Sequence, residues 1–186
     1  MRGLFNYIVS PKKERYDNKE TIGNTEFVLN TDISEFKHIS RTAIVKALPS
    51  EIDTPIQIGD EIIIHHNIFR RWYDIKGRER NGSSYIDEDS YLCQPDQLFM
   101  YRRNGGEWTG VDNSCFISPV ENDEKYSTEK EKERVGIIEI SNDYLSSLGL
   151  SVGDTVGFTP SSEYEFMIDG KKMYKMSSRD ICLHYD

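Results

Sequence analysis

Apolar residues in this chain occur in short clusters separated by turn-forming residues. The clusters are rich in β-branched and aromatic side chains and are bounded by Gly, Pro, Asn or Asp, which is typical of β-strands: FNYIVSP, RTAIVKAL, DEIIIHHN, QLFMYRR, SCFISPV, RVGIIEI and DTVGFTP. One segment, residues 141–150 (SNDYLSSLGL), predicts a short helix with Ser, Asn or Asp as its cap and Gly149 as its stop. The pattern therefore predicts an all-β chain with at most a turn or two of helix.

Four segments of the first half recur in the same order in the second half. The pairs are YIVSP with CFISP, RTAIVKAL with ERVGIIEI, IQIGDEIIIHH with LSVGDTVGFTP, and SYIDEDSYLCQPDQLFMY with EFMIDGKKMYKMSSRDICLHY. In the third pair, Gly59-Asp60 and Gly153-Asp154 predict the same tight turn before an apolar strand. In the fourth pair, Asp96 and Asp180 each precede the closing strand. An ordered set of this kind indicates an internal repeat.

The spacing between the copies places two insertions in the first one. The offset is 108 residues at the Ser-Pro strand, 94 at the Gly-Asp turn and 82 at the Ile-Asp turn. One insertion therefore lies within residues 12–40 and the other within residues 67–85, where loops rather than the core absorb extra chain. We expect two domains, residues 1–104 and 105–186, joined near Asn104.

Bulk properties narrow the class of protein. Residues 1–104 carry 15 basic and 16 acidic side chains, and residues 105–186 carry 8 basic and 16 acidic ones, so the net charges are −1 and −8. Because a duplex-binding protein needs clustered Lys and Arg, we do not expect nucleic acid as a partner. No apolar run is long enough for a membrane span or a signal-peptide core, so we expect a cytoplasmic protein. Cys93, Cys115 and Cys182 form no CxxC pair and are expected to be reduced thiols in the core.

The ordered segments resemble the GroES family of co-chaperonins. The second copy, with LSVGDTVGF followed by FMIDGKKMYKMSSRDICLHY, resembles the carboxy-terminal half of a GroES subunit, and the first copy resembles it through NYIVSPKKE, IQIGDEIIIH and YIDEDSYLCQPDQLFMY. The resemblance implies two tandem, partly open β-barrels that assemble into a homo-oligomeric ring. It also implies capping of a GroEL-type chaperonin, which encloses an unfolded protein while the chaperonin hydrolyses ATP. The chain itself would need no cofactor.

In this family a mobile loop after the first strand binds the chaperonin through a short aliphatic tripeptide. Residues 16–40 occupy that place, and the resemblance assigns chaperonin binding to Phe27, Val28 and Leu29, with Phe27 standing where the family usually has an aliphatic residue. A stretch rich in Asn, Thr, Asp, Glu and Lys buries too little apolar surface to offset its ordering entropy, so we expect it to be flexible when free. The other interpretation is that these three residues form an edge strand folded onto the first barrel. The matching loop of the second copy offers only Tyr126 and is expected to be a solvated connection.

The insertion at 67–85 combines four arginines with Trp72 and Tyr73. Such a mixture can bind single-stranded nucleic acid, but Asp74 and Glu79 interrupt the charge and favour a long hairpin loop. Its place resembles the loop through which the family presents an aromatic residue to the chamber, so the resemblance implies that Trp72 and Tyr73 face the enclosed substrate.

No residue pattern points to catalysis or to a metal site. His65 and His66 are adjacent on an expected strand, where they would point to opposite faces and could not share an ion. The chain contains no HExxH, Walker or GxGxxG motif, so we expect a protein that is not an enzyme. An enzyme that uses His65, His66 or Cys93 is the least favoured alternative. The main alternative is a non-catalytic assembly or structural protein, for example a viral component, built on the same barrels.

Overall fold

The computed structural model describes residues 2–16, 19–22, 25–28, 38–122 and 130–185, and of residues 19–22 and 25–28 it describes the backbone alone. The chain divides into two compact units, Met1–Gly106 and Glu107–Asp186. Strands dominate both units, as the apolar clusters predict, and all seven clusters form strands. The all-β class is therefore confirmed.

Unit 1 contains ten strands within the part of it that the structure describes. They are β1 (Tyr7–Pro11), β2 (Lys19–Ile22), β3 (Thr25–Val28), β4 (Thr42–Ala47), β5 (Glu61–Ile64), β6 (Arg71–Tyr73), β7 (Glu79–Asn81), β8 (Tyr85–Asp87), β9 (Ser90–Cys93) and β10 (Leu98–Arg102). The strands that unit 1 contributes to its main sheet have the order β10-β5-β4-β1-β9-β8, and β2-β3 and β6-β7 form two separate two-stranded sheets. Short 3₁₀ helices occupy His66–Ile68 and Pro95–Gln97.

Unit 2 contains β11 (Thr109–Gly110), β12 (Ser114–Glu121), β13 (Glu131–Ile140), β14 (Thr155–Phe158), β15 (Tyr164–Ile168), β16 (Lys171–Ser177) and β17 (Ile181–Tyr185), with a 3₁₀ helix at Ser178–Asp180. Its sheet has the order β15-β16-β12-β13-β14-β17. The expected helix is α1 (Asp143–Ser147). Asn142 caps it by accepting a hydrogen bond from the Leu145 amide at 2.9 Å, and Gly149 follows it with φ +80°.

The two units have the same strand order, with β10, β5, β4, β1, β9 and β8 matched by β17, β14, β13, β12, β16 and β15. The register is also the same. Val9 pairs with Val45 where Ile117 pairs with Ile138, and a bulge precedes Val9 and Ile117 alike. No strand pairing closes either sheet on itself, so neither is a closed barrel within the described residues.

The Gly-Asp turn is repeated in detail. The Gly59 amide donates to the Val45 carbonyl at 2.8 Å and the Val45 amide donates to the Asp60 carbonyl at 3.0 Å. The same two bonds join Gly153, Ile138 and Asp154 at 2.8 and 3.0 Å. Gly59 has φ +92° and Gly153 has φ +98°, a region that only glycine adopts at little cost.

The core lies along matched positions of the two units. In unit 2 it comprises Cys115, Ile117, Ile138, Leu145, Leu150, Val156, Phe158 and Met176. Seven of these have buried counterparts in unit 1 at the same places in the strand pattern: Tyr7, Val9, Val45, Ile56, Ile62, Ile64 and Cys93. Cys182 corrects the expectation of three core thiols, because it is exposed on the edge strand β17, whereas Cys93 and Cys115 are buried. Burial raises the pKa of both buried thiols.

Candidate protein-binding surface

Unit 1 differs from unit 2 mainly in two inserts. The first insert, residues 17–38, separates β1 from β4 and contains the β2–β3 hairpin. The second insert, residues 67–85, follows β5 and contains the β6–β7 hairpin. The corresponding connection in unit 2 between β14 and β15 is only Thr159–Glu163. The inserts are therefore where unit 1 can carry a function that the common sheet does not.

The first insert is closed at its base by a β-bridge between Tyr16 and Ile39. Both residues are buried, and the Ser40 amide donates to the Arg15 carbonyl at 3.1 Å. Phe27 and Val28 lie in β3, opposite Glu20 and Lys19 of β2. Leu29 lies outside the described residues, as does Tyr126 in the matching connection of unit 2. Within the described backbone β3 pairs with β2 alone, so it is not an edge strand of the main sheet.

The second insert is a hairpin organised by one aspartate. The Oδ1 atom of Asp74 accepts hydrogen bonds from the amides of Lys76 and Arg78, each at 2.9 Å, and Gly77 turns the chain with φ +70°. These amide bonds, chiefly that from Arg78, lower the pKa of Asp74. Arg80 also pairs with Asp74 at 3.1 Å. The acidic residue that interrupts the basic run in the sequence therefore builds the turn.

Three large apolar side chains are exposed at this hairpin. Trp72 is 45% exposed, Tyr73 is 52% exposed, and Ile75 is fully exposed in the turn. Between Arg71 and Asn81 the hairpin carries four basic and two acidic side chains. Sequence reasoning identified Trp72 and Tyr73 but missed Ile75. The available signal was an aliphatic residue placed between Asp74 and Lys76-Gly77, in a segment whose residue types indicate a turn. Exposed Trp and Tyr side chains are frequent in protein-binding surfaces.

Two consecutive residues, Arg15 and Tyr16, hold the base of the second insert. Arg15 donates to the Phe69 carbonyl at 2.6 Å through Nε, to Asn81 Oδ1 at 2.6 Å, and to the Arg70 carbonyl at 3.2 Å. The Tyr16 hydroxyl accepts a hydrogen bond from the Arg71 amide at 2.8 Å. Sequence reasoning missed both residues, because no sequence motif marks a side chain that contacts a segment distant in the chain.

The same base is an aromatic and cationic cluster. The Arg15 guanidinium lies over the ring of Tyr91 at 5.1 Å and the Arg71 guanidinium lies over the ring of Tyr16 at 4.5 Å, both within the range of cation–π attraction. The ring of Tyr91 in turn makes an edge contact with Phe69 at 4.9 Å. Burial, together with the nearby charge of Arg71, lowers the pKa of Arg15. The cluster therefore anchors the hairpin to buried aromatic rings of unit 1.

The positions of His65 and His66 differ from the expectation that both lie on a strand. The strand β5 ends at Ile64, His65 caps the following 3₁₀ helix by accepting from the Asn67 amide at 3.1 Å, and the two imidazole rings stack with centroids 4.3 Å apart. The premise that they face opposite ways is therefore wrong. Burial lowers the pKa of His66 to about 4, with a further contribution from His65. Among the described residues no group of three His, Cys, Asp or Glu side chains could hold a metal ion.

No protein-family model matches this chain, and no curated protein sequence matches it. In the parts of the chain that the structure describes, no helix is both long and apolar enough to cross a membrane.

Proposed function

We propose that this chain is a co-chaperonin of the GroES type, in which two tandem GroES-like, partly open barrels form a subunit that caps a GroEL-type chaperonin ring. The observation that carries the proposal is the repeated sheet. Strand order, register, the bulges and the Gly-Asp turn recur in both units, while the extra chain is concentrated in two inserts of unit 1. Repetition at this level favours a duplicated domain with one copy adapted to binding.

The first insert is the chaperonin-binding element in this proposal. Phe27, Val28 and Leu29 supply the apolar contacts, and the separate β2–β3 hairpin favours an element that projects from the sheet over a strand built into it. One such short segment binds weakly, because ordering costs about 2–5 kcal/mol of the gross interaction energy. A ring of linked segments regains affinity through effective concentration, which suits a cap that must bind and release.

Ring assembly is supported by the open edges of the sheets. The edge strand β17 exposes Leu183 and Tyr185, which are 55% and 45% exposed. An exposed edge strand with apolar side chains is a template for pairing with another chain. Unit 2 then widens or regularises the ring, the partner hydrolyses ATP, and an unfolded polypeptide is the substrate enclosed.

The test is to mix the purified chain with a bacterial chaperonin, with and without ATP, and to measure complex formation by native mass spectrometry. The variant Phe27→Ser/Val28→Ser/Leu29→Ser is measured in parallel. We expect nucleotide-dependent binding by the unmutated chain and its loss in the variant. If the unmutated chain binds neither a bacterial nor a cognate-host chaperonin, the function is instead that of a non-catalytic assembly protein.

A further inference from the structure

The β6–β7 hairpin presents apolar side chains on every side of its turn. Trp72 and Tyr73 are adjacent on β6, and adjacent side chains of a strand point to opposite faces of the sheet. Both are about half exposed, because β6 and β7 form a two-stranded sheet of their own. Ile75 extends this apolar surface into the turn, where its side chain is fully exposed. A partner that contacts all three side chains must therefore surround the turn.

The hairpin is basic, although the chain as a whole is acidic. Residues 71–81 carry four basic and two acidic side chains, so their net charge is +2, whereas that of the whole chain is −9. The carboxylates of Asp74 and Glu79 pair with arginines of the same hairpin. Lys76 and Arg78 are exposed at the turn. The charge there therefore complements an anionic partner.

We propose that the turn of the β6–β7 hairpin inserts into the surface of an anionic phospholipid bilayer. A bilayer surrounds an inserted turn, so it contacts Trp72, Tyr73 and Ile75 at the same time. A folded protein or a nucleic-acid strand lies against one face of the hairpin and leaves Trp72 or Tyr73 in water. Trp and Tyr also concentrate at the membrane–water interface, which accommodates both an apolar ring and a polar group. The inference does not depend on the proposed co-chaperonin function, and it concerns a surface contact, not a membrane-spanning segment.

The dimensions and polar groups of the hairpin suit a shallow contact. A three-residue strand spans about 10 Å, and interfacial segments bury their apolar face about 5–10 Å into the boundary between headgroups and acyl chains. Lys76 has a long aliphatic stem, so its ammonium can stay among the phosphates while Ile75 lies deeper. The Asp74 carboxylate is satisfied by two backbone amides and by Arg80, which limits the cost of removing it from bulk water.

The base of the hairpin is already ordered in the free chain. Arg15 donates to the Phe69 carbonyl and to Asn81 Oδ1 at 2.6 Å each, so it ties the two ends of the hairpin together. An ordered turn loses little conformational entropy on binding, which favours even a small contact area. The matching connection in unit 2, Thr159–Glu163, has no basic and no large apolar side chain. The contact is therefore confined to unit 1.

The test is co-sedimentation of the purified chain with vesicles of two compositions. One contains phosphatidylcholine alone, and the other contains phosphatidylcholine with a minor share of anionic phosphatidylserine. We expect binding to the anionic vesicles that weakens as salt is raised, and much weaker binding to the neutral ones. In a Trp108→Phe background Trp72 is the only tryptophan, and its fluorescence emission should shift to shorter wavelength when the anionic vesicles are added.

A first pair of variants tests the apolar side chains. The hairpin variant is Trp72→Ser/Tyr73→Ser/Ile75→Ser. Its control removes one aromatic and two aliphatic side chains that are also exposed but lie in unit 2, Tyr144→Ser/Leu148→Ser/Val152→Ser. We expect the hairpin variant to bind anionic vesicles at least about tenfold more weakly than the unmutated chain, and the control to bind within about twofold of it. Because all six side chains are exposed, thermal unfolding should be similar in both variants.

A second pair of variants tests the charges. Lys76→Gln/Arg78→Gln removes two cations from the turn, and Lys46→Gln/Arg179→Gln removes two from exposed positions elsewhere. The change in net charge is the same, so any difference in binding reports on position. A cation near an anionic surface contributes about fivefold in affinity, so we expect the turn variant to bind about 30-fold more weakly. The control should bind within about twofold of the unmutated chain.

Three results would overturn the inference. If the unmutated chain does not bind anionic vesicles, the hairpin is not a membrane contact. If both hairpin variants bind the vesicles like their controls, the contact lies elsewhere on the chain. If the unmutated chain binds a single-stranded oligonucleotide instead of vesicles, and the triple hairpin variant does not, the hairpin is a nucleic-acid surface. None of these results bears on chaperonin binding, which is measured separately.

Discussion

The repeated Gly-Asp turn has the same backbone bonds in both units but different surroundings. Asp60 is only 2% exposed, accepts a hydrogen bond from the Gln57 amide at 2.8 Å, and receives two more from Arg103 at 3.0 Å each. Asp154 makes the matching bond with the Ser151 amide at 2.8 Å, but its side chain is 30% exposed. The same substitution should therefore cost unit 1 more than unit 2.

The magnitudes follow from what each carboxylate loses. Hydrogen bonds to charged groups contribute about 1.5–3 kcal/mol when buried, and an exposed turn bond contributes about 1 kcal/mol. We expect Asp60→Ala to lower the free energy of unfolding of unit 1 by about 2–3 kcal/mol. Asp154→Ala should lower that of unit 2 by about 1 kcal/mol.

Native-state amide hydrogen exchange measures the two losses at equivalent positions. The Val45 amide donates to the Asp60 carbonyl and the Ile138 amide donates to the Asp154 carbonyl, so each reports on its own unit. Asp60→Ala should reduce the protection factor of Val45 by about 30- to 150-fold, and Asp154→Ala should reduce that of Ile138 by about fivefold. An equal or larger loss in Asp154→Ala would refute the argument from burial.

Three further substitutions test other parts of the account. Asn142→Ala should lower the stability of unit 2 by about 2 kcal/mol in urea unfolding, because this buried side chain caps α1 and also donates to the Ser114 carbonyl at 2.9 Å. An unchanged urea midpoint would contradict the capping role. Gly136→Ala should destabilise unit 2 by at least about 2 kcal/mol, since an added Cβ would clash with the Ile117 side chain. A thermal unfolding midpoint within about 1–2 °C of that of the unmutated chain would show that the strand can shift to avoid the clash. The unfolded chain takes up a proton at His66 near pH 6.5 and the folded chain only near pH 4, so the free energy of unfolding should fall as pH drops from 6.5 to 4. In urea unfolding at several pH values, His66→Gln should make this dependence on pH weaker. An unchanged dependence would assign it to other groups.

Much of the fold could be predicted because the same ordered set of segments occurs twice in the chain. Clusters of β-branched and aromatic residues between turn residues predicted the strands, and a Ser, Asn or Asp cap with Gly149 as the stop predicted the helix. Residue-level alignment was less accurate. The sequence pairing of RTAIVKAL with ERVGIIEI is one residue out, because Val45 is matched by Ile138 in the strand register. Only the register, which depends on bulges, settles such a slip.

A similar slip affects the residue before the closing strand. The Asp180 carboxylate accepts a hydrogen bond from the Ser177 amide. In unit 1 the matching acceptor for the Gln94 amide is the side-chain oxygen of Gln97, not the carboxylate of Asp96. The Asp180 carbonyl accepts from Thr159 as the Gln97 carbonyl accepts from His65. Sequence matching favoured the identical residue type, whereas the backbone geometry requires only an oxygen acceptor at that position.

The candidate surface was the least predictable part. Exposed aromatic residues in a basic insertion pointed to Trp72 and Tyr73, but the contacts of Arg15 and Tyr16 join segments about 55 residues apart in the chain. Long-range side-chain contacts of this kind leave no periodic signal in a single sequence. The assignments of Phe27, Val28 and Leu29 to chaperonin binding, and of a ring to the assembly, stay predictions.

The most direct test of the co-chaperonin proposal is protection of a chaperonin-bound substrate from protease. An unfolded substrate is loaded on a bacterial chaperonin ring, and its proteolysis is followed after addition of this chain with ATP. The proposal predicts that the substrate becomes resistant to protease, and that it stays sensitive with the variant Phe27→Ser/Val28→Ser/Leu29→Ser. A substrate that remains fully sensitive with the unmutated chain and ATP would contradict the proposal, because a cap that encloses nothing is not a co-chaperonin.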